Sequence, residues 1–230
     1  MVEKPVISAL EAARKVQAGN VVHVGGFLGC GSPDAVIAEL AKLGTRDLTL
    51  VCNDSSILDQ KSGKRNGVAP LIENRQFAKV IVSHIGTNAE TQRQMNAGET
   101  EVVLVPQGTL AERIRAAGAG LGGILTGTGV GTEVEEGKQK LLVKDKVYLL
   151  EEALGGDVAL IKAAKADRAG NLRYSKTARN FNPLMATACA LVIAEVEELV
   201  DIGDLDPDDV HTPSIFVDFI VVSPRTEARA

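Results

Sequence analysis

The sequence predicts an α/β fold: an open, largely parallel sheet, mixed by some antiparallel pairing, with helices on both faces. Three observations predict it. Short, near-continuous apolar runs alternate with helix-length amphipathic segments through the first half of the chain. Such runs mark strands buried on both faces, and their alternation with helices marks parallel crossovers. In the second half the apolar runs lie closer together, and hairpin signals such as Lys144-Asp145 and Ala169-Gly170-Asn171 separate them, which adds antiparallel pairing.

The elements follow in order. Residues 7–17 carry Ile7, Leu10, Ala13 and Val16 at helical spacing, with Gly19 as the stop. Residues 20–24 read as a strand. Ser32-Pro33-Asp34 opens a helix, with Pro33 in its first turn, which runs to Lys42 or Leu43 and stops at Gly44. Strands are expected over 48–52 and 79–85, and a polar helix over 88–96 that ends at Gly98. A strand over 101–105 is closed by Pro106, and a helix over 109–117, capped by Thr109, ends at Gly118. Further strands are expected over 141–143, 147–150, 158–163 and 172–174, then a short helix over 182–188 and a last core strand over 190–196.

Composition bounds the function. The 230 residues are read as one domain, 1–230, with a polar tail over about 221–230. Net charge is −5 without a dense basic patch, and aromatics are 3 % with no Trp, so no nucleic-acid partner is expected. The three cysteines form no CxxC pair, so neither a disulfide framework nor a metal site is expected. No apolar run reaches the length of a membrane span, and the N-terminus lacks the apolar core of a signal peptide. A cytoplasmic protein without membrane contact is expected.

The most informative stretch is Gly25-Gly26-Phe27-Leu28-Gly29-Cys30-Gly31, between a strand and a helix. Bare backbone at a helix start suits a carboxylate or phosphate, although tight turns use glycine as well. Asn53 and Gln107 end two other strands, and ligands of parallel sheets bind at those ends. Their ordinary role there is turn chemistry. Gly118-Ala119-Gly120-Leu121-Gly122-Gly123 fits GxGxxG but follows a helix rather than a strand, which argues against a dinucleotide site. Gly127, Gly129 and Gly131 extend it as a long loop. Cys30 reads as a small buried thiol rather than a nucleophile, since no base accompanies it. His23, His84 and His211 lie far apart and read as structural. Glu135-Glu136 and Glu195, Glu197 and Glu198 read as solvated faces. No carboxylate stands out as a nucleophile.

Four segments in order resemble one family. The stretch from Asn20 to Pro33 resembles the glycine motif of family I CoA-transferases, in their A (α) subunit. Val105-Pro106-Gln107-Gly108-Thr109-Leu110-Ala111-Glu112-Arg113-Ile114-Arg115 resembles a second signature. Lys165-Ala166-Asp167-Arg168-Ala169-Gly170-Asn171 and Ala178-Arg179-Asn180-Phe181-Asn182-Pro183 are similar to two more. Ser83-His84-Ile85-Gly86-Thr87-Asn88-Ala89-Glu90-Thr91 looks most like the acetate or butyrate–acetoacetate branch, with the 3-oxoacid branch next. Asn20 departs from a more usual Asp-Gly at a turn, which either tolerates.

The resemblance implies a division of labour. The family moves CoA from an acyl-CoA to a short-chain carboxylate such as acetate, butyrate or acetoacetate. It does so through a glutamyl-CoA thioester on the B subunit, with no cofactor beyond CoA as substrate. This chain would then be inactive alone and would assemble as two A plus two B subunits. Its implied substrate and CoA site is Gly25, Gly26, Phe27, Leu28, Gly29, Cys30, Gly31 and Asn53, with Gln107 as an oxyanion donor. The alternatives are a sugar-phosphate isomerase of similar architecture, with its own acid–base side chain, and a non-catalytic assembly or regulatory protein of the same fold.

Overall fold

The structure, a computed structural model, describes residues 2–59 and 63–223. The elements in chain order are α1 (Ala9–Ala13), β1 (Val21–Val24), α2 (Asp34–Leu43), β2 (Leu48–Val51), β3 (Leu58–Asp59), β4 (Lys64–Arg65) and α3 (Ala69–Glu73). They continue with β5 (Phe77–Val82), α4 (Ala89–Asn96), β6 (Glu101–Leu104), α5 (Gln107–Gly118), β7 (Gly123–Thr126), β8 (Lys140–Val143) and β9 (Lys146–Glu152). The last are β10 (Gly156–Asp167), β11 (Leu172–Arg173), α6 (Asn182–Thr187), β12 (Cys189–Val200) and β13 (Phe219–Val222).

The main sheet has the order β13-β12-β10-β1-β2-β5-β6, with β11 antiparallel beside β10. Every pair along that order is parallel. The chain builds outward from β1 to β6, then returns to the other side of β1 as β10. The C-terminal ends of β1 and β10 therefore border the point where the winding reverses. One face packs on α1 to α4, through Ala12, Val36, Leu40, Leu71 and Met95. The other packs on α5 and α6, through Leu110, Ile114, Met185 and Ala186. Helices thus cover both faces, as the apolar strands require.

The antiparallel pairing lies largely outside this sheet. β7, β9 and β8 form a separate three-stranded sheet that follows α5. The glycine-rich segment expected as one long loop is therefore partly strand: residues 123–126 pair with β9. The expected helix over 7–17 shrinks to α1. A capping box between Ser8 and Glu11 fixes its start, and Asn20 and Gln17 side chains bond backbone groups at 17 and 14 in competition with further helix. The helix expected from Thr109 begins at Gln107, directly after Pro106, and Thr109 is buried inside it rather than capping it. β12 is longer than expected and is not the last strand: the apolar quartet 219–222 adds β13 beside it. Of the tail expected over 221–230, residues 221 and 222 belong to β13, and 224–230 lie outside the described residues.

His23 sits in β1 with no exposed surface. Burial holds its pKa down to about 4, against weaker opposing effects of the Gly155 backbone and the Asp157 carboxylate. The unfolded chain then binds a proton below about 6.5 that the folded chain refuses, so stability falls as pH drops from there towards 4. At pH 5 this one group costs about 2 kcal/mol. Urea titrations at pH 7.5 and pH 5 should show His23→Leu losing about that much less stability between the two pH values than the wild type. Equal losses in both proteins would show that the buried imidazole is not the cause.

Candidate active site

A cavity of about 300 Å³ opens over the C-terminal ends of β1, β2, β5 and β6, lined by Phe27, Leu28, Asn53, Asp54, Ser83, His84 and Gln107. Each residue arrives there because its strand ends. Past β1 the chain makes a two-residue turn: Phe27 and Cys30 exchange backbone hydrogen bonds of 3.0 and 2.9 Å, while Leu28 and Gly29 both take positive φ. That is the turn geometry that suits a twisted hairpin. Leu28, at φ 47, is the strained member. It is held on both sides: its amide donates to Asp54 Oδ2 at 2.9 Å and its carbonyl accepts from Asn66 Nδ2 at 2.8 Å.

Past β2, Asn53 and Asp54 are buried. Gln107 Nε2 donates to Asn53 Oδ1 at 2.7 Å, and Asn53 Nδ2 donates to Asp54 Oδ2 at 2.6 Å. Asp54 Oδ1 accepts from the Ser56 amide at 2.7 Å. Ser83, just past β5, donates its hydroxyl to the Asn53 carbonyl at 2.7 Å. Gln107 is the first residue of α5, directly after Pro106, and its side chain reaches back over the sheet edge to Asn53. The cavity thus combines an apolar wall, Phe27 and Leu28, with amide and hydroxyl groups and one carboxylate whose oxygens are committed to three donors.

Gly25 and Gly26 lie beneath this surface and are buried. The Gly25 amide donates to the Leu160 carbonyl, and a Cβ on Gly25 would overlap Asn182 Oδ1. Asn182 is the clamp of the loop: Nδ2 donates to the Gly31 and Ala178 carbonyls at 3.0 and 2.8 Å, and Oδ1 accepts from the Lys162 amide at 2.9 Å. Gly26 has φ 126 and packs against Ser32 Oγ. Its amide makes no hydrogen bond to another described residue, whereas the amides of Gly25, Phe27 and Leu28 do.

On the other side of the loop a second cleft of about 630 Å³ is walled by Gly29 to Ser32, the start of α2, Lys162, Glu195 and the turn at residues 175–178. Glu195 is buried and accepts from the Ala35 and Val36 amides, both at 3.0 Å, and from Lys162 Nζ at 2.9 Å. The first amides of α2 are therefore taken by a carboxylate of this chain, and the anion site expected at this helix start is already filled. Pro33 provides no side-chain cap, so Glu195 supplies one from β12. Asp34, at the mouth of this cleft, is pushed up to about 6 by desolvation and by Glu195, with Lys162 acting the other way.

The sequence pattern of the coenzyme A transferase family matches residues 6–223. The chain belongs to the coenzyme A transferase family. It is 52 % identical over 209 residues to the alpha chain of the acetate CoA-transferase of Escherichia coli K12, covering 91 % of this chain and 92 % of that one. It is 46 % identical over 226 residues to the A component of a probable succinyl-CoA:3-ketoacid coenzyme A transferase of Bacillus subtilis, covering 98 % and 92 %. Its fold matches an acyl-CoA transferase of E. coli O157:H7, solved as a thioester complex with CoA, with a TM-score of 0.86 at 22 % identity over 99 % of this chain. The match covers 49 % of that protein, so this CoA-transferase chain spans about half its length.

The residues expected from sequence divide into three groups in this CoA-transferase fold. Phe27, Leu28, Asn53 and Gln107 meet in the smaller cavity. Gly29, Cys30 and Gly31 face the larger cleft instead. Gly25 and Gly26 support the loop from below. Cys30 is exposed rather than buried, and its Sγ lies 3.4 Å from the Thr177 hydroxyl. Sequence reasoning missed Asp54, Ser83 and His84 as cavity residues and Asn182 as the loop clamp. It placed Glu195 on a solvated face, although β12 pairs on both sides and the side chain points under α2. A lysine on the neighbouring strand, Lys162, was the available signal for a buried pair.

Proposed function

We propose that this chain is the α component of a heteromeric, cytoplasmic CoA-transferase for short-chain acids, a single domain that assembles as two A with two B subunits. The identity to named alpha and A components over nine-tenths of the chain supports it. The observation that carries the division of labour is Asp54. Among the described residues it is the one carboxylate lining the smaller cavity, and its oxygens already accept from the Leu28 and Ser56 amides and from Asn53. A carboxylate so engaged is a poor nucleophile, so the attacking carboxylate comes from the partner. An isomerase would need a free acid–base side chain there. Among the described residues His84 is the remaining titratable group on that wall.

In this reading the partner's glutamate attacks the acyl-CoA carbonyl and expels the CoA thiolate, leaving a mixed anhydride. The thiolate then attacks the glutamyl carbonyl, which releases the acyl carboxylate and leaves glutamyl-CoA. The acceptor acid reverses both steps, so CoA is the carried substrate and no further cofactor takes part. This chain supplies the wall against the short acyl chain, Phe27 and Leu28, and a donor to the developing oxyanion, Gln107, while Gly25 and Gly26 hold the loop from below. Gly29, Cys30 and Gly31 face the cleft where the CoA chain runs.

Mixing the chain with its B subunit should yield transfer between acetoacetyl-CoA and acetate with ping-pong kinetics. Intact mass spectrometry after acyl-CoA alone should find the CoA adduct on the B subunit. Turnover by this chain alone, or the adduct on this chain, would overturn the proposal.

A further inference from the structure

The hydrogen bonds from Asp54 to Gln107 run in one direction. A carboxylate only accepts, and Asp54 Oδ2 accepts from Asn53 Nδ2 at 2.6 Å and from the Leu28 amide at 2.9 Å. Asn53 must therefore turn its NH₂ towards Asp54, which leaves its Oδ1 facing Gln107. Gln107 in turn must present Nε2 to that oxygen, at 2.7 Å. Its amide nitrogen, with one N–H to spare, is thereby fixed on the cavity side of β2. Ser83 does not disturb this order, because its single proton goes to the Asn53 carbonyl at 2.7 Å.

We propose that Asp54 is the positioning residue of this cavity: it fixes which end of the Asn53 and Gln107 amides faces the substrate, and with the same oxygen it holds the glycine turn at Leu28. The substrate-directed role of Gln107 rests on the function proposed above; the orientation itself does not.

Asp54→Asn shows why the charge matters. If the new oxygen takes the Oδ2 position, an NH₂ meets the Ser56 amide, donor against donor. If it takes the Oδ1 position, the NH₂ meets the Leu28 amide and Asn53 Nδ2. Asn53 then flips to offer its oxygen, and its own NH₂ turns to Gln107. Gln107 must flip in turn, and its donor leaves the place it occupies in the wild type. No arrangement of three amides satisfies every donor that the carboxylate satisfies.

The test is a double-mutant cycle on the complex with the B subunit. Asp54→Asn and Gln107→Ala should each lower kcat by about tenfold and change KM by less than about threefold. Adding Asp54→Asn to Gln107→Ala should then cost clearly less than Asp54→Asn costs in the wild type, what remains being its hold on the turn at Leu28. In the ¹⁵N-labelled full-length chain, the Gln107 side-chain amide resonance, assigned by its loss in Gln107→Ala, should move in Asp54→Asn. Losses that multiply in the double variant, wild-type kcat in Asp54→Asn, or an unmoved Gln107 resonance would each overturn the proposal. Should Asp54→Asn fail to fold, Asn53→Ala breaks the same relay, and the Gln107 resonance must move there. A wild-type complex that transfers no CoA would reject the proposed function, while the resonance would still decide the role of Asp54.

Discussion

Gly26→Val is expected to lower the turnover of the assembled enzyme at least a hundredfold, roughly the cost of misplacing reacting groups by an ångström. Two independent facts produce this. Gly26 has φ 126, a conformation closed to a β-branched residue, and its Cβ would overlap Ser32 Oγ. The backbone must turn, and with it the Phe27–Cys30 turn that carries Phe27 and Leu28 into the cavity wall. The strain costs about 1–3 kcal/mol, which in a chain of this length lowers Tm by a few degrees per kcal/mol. Gly44→Ala is the control. Gly44 also has positive φ, 65, at the end of α2, but nothing lies within 4 Å of a Cβ there. It should lower Tm through the same kind of backbone strain and leave kcat unchanged. Steady-state kinetics and thermal melts on both variants separate the two effects. A Gly26→Val complex with normal kcat would reduce the loop to a turn, and a Gly44→Ala complex with lost kcat would show that strain anywhere suffices.

The parallel sheet was legible because its signal is redundant. Val21 to Val24, Leu48 to Val51 and Glu101 to Leu104 are each bounded by a turn residue or proline, and each leads into a helix or the next apolar run. The site was legible where it coincides with strand ends, which is why Asn53 and Gln107 emerge together. What failed was anything decided by contacts distant in sequence. Glu195 lies about 160 residues from the amides it caps, and Asn182 about 150 from the loop it clamps. Local propensity describes neither. It also misread Thr109, a good cap by type, because Pro106 starts the helix earlier. The glycines of the loop were visible, but their reason was not. Gly25 is bare for Asn182 and Gly26 for Ser32, and the shape offered to a substrate follows from that packing.

The sharpest test of that shape is the pH dependence of two changes at Gln107. Gln107→Ala removes a donor and should lower kcat about tenfold or more, by the same amount at every pH where the wild type is active. Gln107→Glu should be worse at neutral pH, about a hundredfold, because it sets an anion against Asn53 Oδ1 and against the substrate carboxylate. Asn53 cannot relieve the conflict by turning its NH₂ outward, since Asp54 holds that end. The new carboxyl therefore has reason to bind a proton: the Asp54 carboxylate stands just beyond Asn53, and an O–H would restore a donor to Asn53. Its pKa should stand above the ordinary value near 4.3, and protonation should return part of the lost function. Activity of Gln107→Glu relative to wild type should thus rise as pH falls from 8 to 6, while that of Gln107→Ala stays level. Both variants should still form the complex with the B subunit, which size-exclusion chromatography can verify, because one cleft side chain is a small part of an obligate interface. Two flat ratios would mean that Gln107 does not face the reacting atoms as a donor. A rise for Gln107→Glu alone ties the effect to one proton at one atom of this chain.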